Sequence, residues 1–353
     1  KMWETEKIRK IKLGFYPYTY ARVSAMKGKL IKPEDYQKLL KMRPGEITKF
    51  LEELEYKKEI DALGVQYTGA DLLERALNMN LAMAYEKLRR ISPPELRALI
   101  DAYLRRKDVW NIKTILRGKF VGEKPGEIKK LLMPAGTYSI AFLEGLAEKE
   151  SMKDIIFALN IPALKAAYSA FEKNKDIFAL ENLLDHGYYT EMLEFTKQLP
   201  KQGKLFAAFL RKEIDVLNIT NLFRLKRAGI EKDKIMQYLF FPGEELTMRT
   251  VKRLLDLSIE ELFKELEKLN FEKIVRKLEQ EREKSLVSLE LELKKNLLDE
   301  AVLLLHQHPL SVNVILGYMF AKEVEIKNLK TIIKGKQLGV EERFIERCLV
   351  IGG

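Results

Sequence analysis

The chain is poor in the side chains that carry most metal, redox and nucleophilic chemistry. Its 353 residues include one cysteine, Cys348, and three histidines. A single cysteine excludes an intramolecular disulfide and is typical of a reducing compartment. Two of the histidines, His306 and His308, would project about 200° apart on a helix and could not share a metal there. We therefore predict neither a metal site nor a cofactor.

Long apolar runs and catalytic motifs are also missing. The longest apolar stretches, such as Val312 to Ala321, fall well short of the roughly 20 residues that a membrane helix needs. The N-terminal stretch alternates charged and apolar residues instead of forming the apolar centre of a signal peptide. Gly28-Lys29 and Gly118-Lys119 lack the upstream glycine and the hydroxyl residue of a phosphate-binding loop. These absences predict a soluble, cytoplasmic protein that is not an enzyme.

Positive charge is unevenly distributed along the chain. The formal net charge is +11. Residues 1–136 contain 29 Lys and Arg against 18 Asp and Glu, whereas residues 137–244 and 245–353 are each balanced. Because the whole excess belongs to the first third, we expect an acidic or anionic partner to meet that part of the chain.

One sequence block occurs three times. The copies are DVWNIKTILRGKFVG from residue 108, DVLNITNLFRLKRAG from residue 215 and EIKNLKTIIKGKQLG from residue 325. An asparagine and a glycine keep the same place in each copy. They are Asn111, Asn218 and Asn328, followed by Gly122, Gly229 and Gly339. The pattern predicts three related units of about 108 residues: 1–136, which carries an N-terminal extension, 137–244 and 245–353.

Each block has the apolar spacing of a helix. In the first copy Val109, Ile112, Ile115 and Leu116 fall on one helical face. Basic residues follow at the end of each helix, and the aligned glycines suit the left-handed position that ends a helix. Since no alternating β pattern occurs, we predict an all-α fold of three pseudo-symmetric helical units. Residues 258–300 are predicted to form one or two long charged helices.

The three aligned asparagines allow two interpretations. They could form a three-fold ring of ligands, or each could bond a neighbouring backbone and fix the packing register. We favour the structural interpretation, because a buried amide must be satisfied in any case. In the same alignment of the three copies, Cys348 corresponds to Leu131 and Tyr238. A position that accepts these residue types favours a core cysteine over a nucleophile.

Aromatic and basic residues are interleaved near the N-terminus. The set is Phe15, Tyr16, Tyr18 and Tyr20, followed by Arg22, Lys27, Lys29 and Lys32. Such interleaving can stack single-stranded nucleic acid, but it is also typical of an amphipathic first helix with core-facing tyrosines, which we favour. The four cations are the candidate partner interface. A solvated face that only aids solubility is the alternative.

Five blocks together resemble a known family. They are YARVSAMKGKLI (20–31), DVWNIKTILRGK (108–119), LENLLDHGYYTEML (180–193), EIDVLNITNLFRLKRAG (213–229) and HPLSVNVILGYMFAKEVEIKNLKTIIKGKQLG (308–339). In this order they resemble the C subunits of the archaeal and bacterial A/V-type ATP synthases, a family that includes the eukaryotic V-ATPase d subunit. The resemblance spans nearly the whole chain.

The resemblance implies an architecture and a mechanical role. The three helical units would form a funnel on the cytoplasmic face of the membrane proteolipid ring, attached to the membrane only through the complex. The funnel would hold the central shaft, made of D- and F-type subunits, and pass torque for proton or sodium transport coupled to ATP. No catalytic group or cofactor is implied. The alternative, a basic helical scaffold that binds nucleic acid, rests on the net charge and the N-terminal aromatics.

Overall fold

The computed structural model describes residues 14–199, 203–280, 285–307 and 311–351. Within these ranges every regular element is a helix, so the all-α prediction is confirmed. No helix of this described part combines the length and the apolar character needed to cross a bilayer. By its internal contacts the chain forms two compact units. Unit 1 comprises residues 1–29 and 42–201, and unit 2 comprises residues 30–41 and 202–353.

The helices are numbered here in chain order. They are α1 (Pro17–Lys27), α2 (Pro33–Lys41), α3 (Pro44–Glu53), α4 (Lys57–Leu63), α5 (Gly69–Ile91), α6 (Pro94–Phe120), α7 (Pro125–Leu131), α8 (Ile140–Glu148), α9 (Met152–Leu159), α10 (Pro162–Asn174), α11 (Ile177–Thr196), α12 (Gly203–Arg227), α13 (Lys232–Met236), α14 (Met248–Leu255), α15 (Ile259–Leu266), α16 (Glu272–Gln280), α17 (Leu286–Gln307), α18 (Val312–Gln337) and α19 (Glu342–Arg347).

Local sequence explains where many of these helices begin and end. Proline occupies the first turn of α1, α3, α6, α7 and α10, where its missing N–H is not needed. Ser139, Ser151 and Ser258 cap α8, α9 and α15 by accepting a backbone N–H. The repeated glycines follow the long helices in a left-handed conformation. Their φ values are 79° at Gly122, 71° at Gly229 and 67° at Gly339.

The long helices supply the core of each unit. In unit 1, α11 packs along α6, and in unit 2, α17 packs against both α12 and α18. The apolar positions of the repeated block point into these contacts. All of the following are buried, as the spacing predicts: Val109, Ile112, Ile115 and Leu116 on α6, Val216, Ile219, Leu222 and Phe223 on α12, and Ile326, Leu329, Ile332 and Ile333 on α18. The helical face of the block was therefore predicted correctly.

The region 258–300 is more broken than the charge pattern predicts. Between α15 and α16 lies a π-helical turn, Glu267–Phe271, in which Leu269 and Asn270 leave the helical region. Asn270 has a positive φ of 61°, and its side chain donates to Glu245 Oε1 at 2.7 Å. Asparagine tolerates this conformation because its short amide can bond locally. The expectation of one or two long helices is therefore wrong, since α15, α16 and α17 are three separate segments.

The environment of Cys348 and the division into units also differ from the sequence pattern. Cys348, predicted to be a core residue, is only half-buried, at the C-terminal cap of α19. The two compact units do not coincide with the three sequence units, because the long helix α6 packs with α11 and the long helix α12 packs with α17. The compact units group residues that contact each other, whereas the sequence units group residues that recur in sequence. The division at residues 136 and 244 therefore stays a prediction.

Candidate functional site

The four cations of the predicted partner interface do not form one cluster. Arg22 and Lys29 are exposed in unit 1. Lys27 is half-buried, and burial lowers the pKa of its ammonium. Lys32 is exposed but belongs to unit 2. Only Arg22 and Lys29 are therefore part of a common basic group.

That group is built on the contact between α1 and α5. Tyr20, Val23 and Met26 are buried on the inner face of α1. The hydroxyl of Thr19 donates to the carbonyl oxygen of Ile91 at 2.8 Å, which fixes α1 on the C-terminal part of α5. Arg22 projects from the opposite, exposed face of the helix.

Two cations of α5 complete the group. Lys87 and Arg90 lie within one turn of each other on α5, beside Arg22 and Lys29. Burial, and then the charges of Lys29 and Arg22, lower the pKa of Lys87, while Glu55 acts in the opposite direction. Like charges held together in this way favour a bound anion. We call Arg22, Lys29, Lys87 and Arg90 the basic surface.

Exposed apolar side chains flank the basic surface. On α5, Met79 and Met83 are 40% and 54% exposed, and helical spacing places them on the same face as Lys87 and Arg90. At the start of α1, Phe15 and Tyr18 are 64% and 65% exposed. We call these four residues the apolar flank.

Of the tyrosines that were predicted to face the core, one is buried and another is exposed to solvent. Tyr20 is fully buried, and its ring meets those of Phe15 and Tyr16 edge-on, with centroids 6.3 Å apart in each case. Tyr18 points outward instead. The expectation that the tyrosines face the core is thus correct for Tyr20 and wrong for Tyr18, while Tyr16 is half-buried.

The repeated asparagines make the same pair of bonds three times. Each side chain donates to a backbone carbonyl and accepts from the N–H of the same residue, 22 positions further along the chain. The pairs are Asn111 with Met133 (2.7 and 2.9 Å), Asn218 with Phe240 (2.7 and 2.8 Å) and Asn328 with Val350 (2.7 and 2.9 Å). We call each such pairing a joint. All three amides are buried, and each already uses its N–H₂ group and its oxygen in bonds to the backbone. Few donor and acceptor positions therefore remain for a ligand.

An acidic residue three positions earlier completes the first two joints. Asp108 accepts from the backbone N–H groups of Thr137 and Tyr138, at 2.9 and 3.0 Å. Asp215 accepts from three consecutive N–H groups, those of residues 244 to 246, at 2.7 to 3.0 Å. Burial raises the pKa of Asp108, and it raises the pKa of Asp215 to about 6, even though the hydrogen bonds act in the opposite direction.

Glycine is required where the chain passes these carboxylates. A Cβ on Gly136 would lie 2.0 Å from Asp108 Oδ1, and one on Gly243 would lie 1.9 Å from Asp215 Oδ1. No carboxylate contact of that length is possible, so the turn glycines permit the approach of each acid to the backbone.

The third joint is completed by a segment from the other end of the chain. Glu325 accepts from the backbone N–H of Ile31 and from Lys322 Nζ, the latter at 2.7 Å. Lys336 donates to the carbonyl of Leu40 at the end of α2. Buried Tyr36 on α2 has its pKa raised by burial and then by Glu325. We call residues 30–41 the strap, and by contacts it belongs to unit 2.

Sequence reasoning missed Lys87, Arg90 and the strap. The spacing of Met79, Met83, Lys87 and Arg90 along one helical face could have indicated the first two. The strap has only a weak signal in the sequence. The third copy of the repeated block has Glu325 at the position where the first two copies have aspartate. The side chains of His306 and His308 lie outside the described residues. Elsewhere in the described ranges, no group of three His, Cys, Asp or Glu is arranged to hold a metal ion.

Comparison with known proteins gives a consistent result. Residues 19–348 match the family described as ATP synthase (C/AC39) subunit. The chain is similar to the A-type ATP synthase C subunit of Methanococcoides burtonii, with 40% identity over 95% of this chain and 94% of the relative. It is also similar to the C subunits of the A-type ATP synthases from Archaeoglobus fulgidus, at 35% identity over 95% and 96% of the two chains, and Haloferax volcanii, at 34% over 95% and 97%.

Proposed function

Because the chain belongs to the ATP synthase (C/AC39) subunit family, we propose that it is the central-stalk subunit that links the rotating shaft to the membrane proteolipid ring. In this role it is a non-catalytic part of the complex. Its partners are the ring, on the cytoplasmic side, and the D- and F-type shaft subunits. The coupled process is proton or sodium transport driven by, or driving, ATP chemistry. The observation that carries the proposal is a family match over nearly the whole chain.

The joints support a mechanical role. A coupling subunit has to pass torque without deforming, so its packed segments must be tied at many points. Each joint ties the interior of a long helix to a stretch of chain 22 residues further along with two hydrogen bonds, and the first two add a buried carboxylate that binds backbone N–H groups. Such satisfied buried networks rigidify a structure. We propose that the three sequence units are the subdomains of a funnel and that the joints hold their register.

The basic surface supports docking near the membrane. We propose that Arg22, Lys29 and, from the sequence-based set, Lys27 and Lys32 supply an electrostatic part of the attachment to the ring assembly. We add Lys87 and Arg90 to this set of docking residues. Screening limits the range of electrostatic attraction to roughly 8 Å at physiological salt, so these cations must lie close to the surface that they contact.

The proposal is tested by assembly. Affinity-tagged full-length protein is mixed with detergent-solubilised proteolipid ring and with the shaft subunits, and co-elution is measured. We expect a stable complex with both, and failure to bind either partner contradicts the coupling role. A second experiment reverses Arg22, Lys27, Lys29 and Lys32 to glutamate and measures reassembly with ring-containing membranes across a salt series. A weaker association with a shallower salt dependence is expected, whereas unchanged binding would leave these cations with no role beyond solubility.

A further inference from the structure

We propose that the basic surface and its apolar flank bind the headgroup region of an anionic lipid membrane, so that the protein touches lipid directly as well as its protein partners. This inference rests on the proposed function, since attachment to a membrane-embedded ring would bring the surface to a bilayer. It adds a lipid contact that the coupling role alone does not require.

The first observation is uncompensated charge. Many cations of unit 1 are paired, for example Arg75 with Asp71 and Arg89 with Asp101. None of the four cations of the basic surface forms an ion pair with a carboxylate of the described residues. Glu55 partly offsets the positive charges at Lys87. These four cations are therefore available to anions from outside the chain, and lipid phosphates are such anions.

The second observation is the apolar flank. Phe15 and Tyr18 at one end and Met79 and Met83 at the other are large side chains with 40% to 65% of their surface exposed. Aromatic rings are typical of the boundary between headgroups and acyl chains, where an apolar body and a polar edge are both accommodated. Methionine is flexible enough to enter such a boundary without a shaped pocket. Basic residues combined with exposed apolar anchors are the pattern of a helix that lies on a membrane surface.

The extent of the surface favours lipid over an acidic protein segment. Met79 and Arg90 are separated by 11 residues on one helix, which is about 17 Å. A bilayer is a continuous anionic plane and can meet the charges and both apolar ends at once. A short acidic segment that neutralised the four cations would leave exposed apolar side chains in water on one side or the other.

Vesicle binding of the full-length protein tests the inference without any protein partner. Vesicles of phosphatidylcholine alone are compared with vesicles in which about one lipid in three is phosphatidylglycerol. We expect binding to the anionic vesicles that declines as salt is raised, and little binding to the neutral ones. The variant R22E/K29E/K87E/R90E should bind the anionic vesicles about 100-fold more weakly.

A matched control separates the surface from net charge. Lys49, Lys58, Lys153 and Lys173 are exposed lysines of the same unit with no partner among the described residues. K49E/K58E/K153E/K173E makes the same change in net charge and should keep near-normal vesicle binding. A third variant, M79Q/M83Q, should weaken binding several-fold while leaving its salt dependence unchanged, because it removes only apolar contact. Circular dichroism and melting temperature confirm that each variant is folded.

The outcomes are distinguishable from those of the coupling proposal. Equal loss in both charge variants, or equal binding to neutral and anionic vesicles, would overturn the lipid site. So would a basic-surface variant that keeps vesicle binding but loses association with the detergent-solubilised ring, since the surface would then meet an acidic protein segment. Loss of vesicle binding with intact association in detergent supports the lipid site and leaves the coupling role standing.

Discussion

An asparagine side chain carries the same donor and acceptor as a peptide group, and the three joints use it as one. Asn218 is fully buried and forms both bonds with Phe240, so the chain after α13 is held as if by an additional backbone pairing. Leucine has the same branching at Cγ but carries two methyl groups in place of the amide oxygen and nitrogen, so it has neither polar group. The repeated amide satisfies buried backbone N–H and carbonyl groups that would otherwise lack a partner. This explains why an asparagine recurs on helices whose neighbouring positions are apolar.

Replacing that amide tests the joint directly. We expect Asn218→Leu to lower the free energy of unfolding by about 1–3 kcal/mol, because it leaves the N–H and carbonyl of Phe240 buried without a partner. Urea unfolding followed by circular dichroism measures the change, and helix content in water should stay the same. Asn174→Leu, at an exposed position, is the control and should have little effect. Equal stability of the two variants would mean that the joint contributes nothing to folding.

The turn glycine offers a second test, in which two similar substitutions have opposite signs. Gly243→Ala forces Asp215 away from the backbone, because the new Cβ would lie 1.9 Å from its carboxylate oxygen. We expect a loss of about 1–3 kcal/mol in stability. Gly145→Ala, in the middle of α8 with open space around it, should instead stabilise by about 0.5–1 kcal/mol, since glycine is unfavourable inside a helix. Thermal unfolding distinguishes them, and destabilisation by both would contradict the assignment.

The buried carboxyl of Asp215 predicts a dependence of stability on pH. Its pKa is about 6 in the folded protein, above the ordinary value of 3.8. A raised folded pKa means that the group favours folding when protonated, so its contribution is complete below about pH 4 and is lost as the pH rises towards 6. The difference in stability between wild type and Asp215→Asn should therefore shrink over that window, by up to about 3 kcal/mol. Urea titrations at a series of pH values measure it, and a constant difference would contradict the shift.

At the scale of elements, the strap is held by a buried ion pair. Lys322 and Glu325 are 0% and 3% exposed, and Glu325 also accepts from Ile31. Hydrophobic periodicity predicted α12 and α18 well, because their buried faces are continuous in sequence. It could not predict the strap, since that contact joins residues 294 positions apart, and no local pattern records such a distance. The π-helical turn at Asn270 was missed for a different reason, namely that one left-handed residue leaves the charge pattern around it unchanged.

Removing half of this ion pair is expected to release the strap. Glu325→Ala takes away the carboxylate that buried Lys322 contacts, and it should cost about 3–5 kcal/mol. The double variant Lys322→Met with Glu325→Gln should recover much of that loss, because the glutamine oxygen can still accept from Ile31 and no charge is left buried. Hydrogen exchange of the amides of residues 31–41, together with urea unfolding, reads out the result. Protection that is unchanged in Glu325→Ala would show that the strap is held elsewhere.

For the whole molecule, the sequence indicated where the charge is but not how it is arranged. The count of charges located the excess in residues 1–136, and the four cations of the basic surface all fall in that range. The sequence could not show that Lys27 is half-buried or that Arg22 lies beside Lys87 and Arg90 of α5, because both depend on tertiary packing. The all-α class was accessible from periodicity, whereas the compact units depend on which long helices meet.

The position of the strap has a consequence for synthesis on the ribosome. Glu325, whose carboxylate accepts the hydrogen bond from the N–H of Ile31, is translated 294 residues after Ile31. At typical elongation rates of about 5–20 residues per second, the interval is about 15–60 seconds. During that time Tyr36, Leu39 and Leu40, which are all buried in the finished protein, lack α19, the C-terminal helix against which α2 packs. The nascent chain therefore carries an amphipathic helix with an uncovered apolar face until Glu325 is made, and α2 is the segment on which we expect cotranslational chaperones to act.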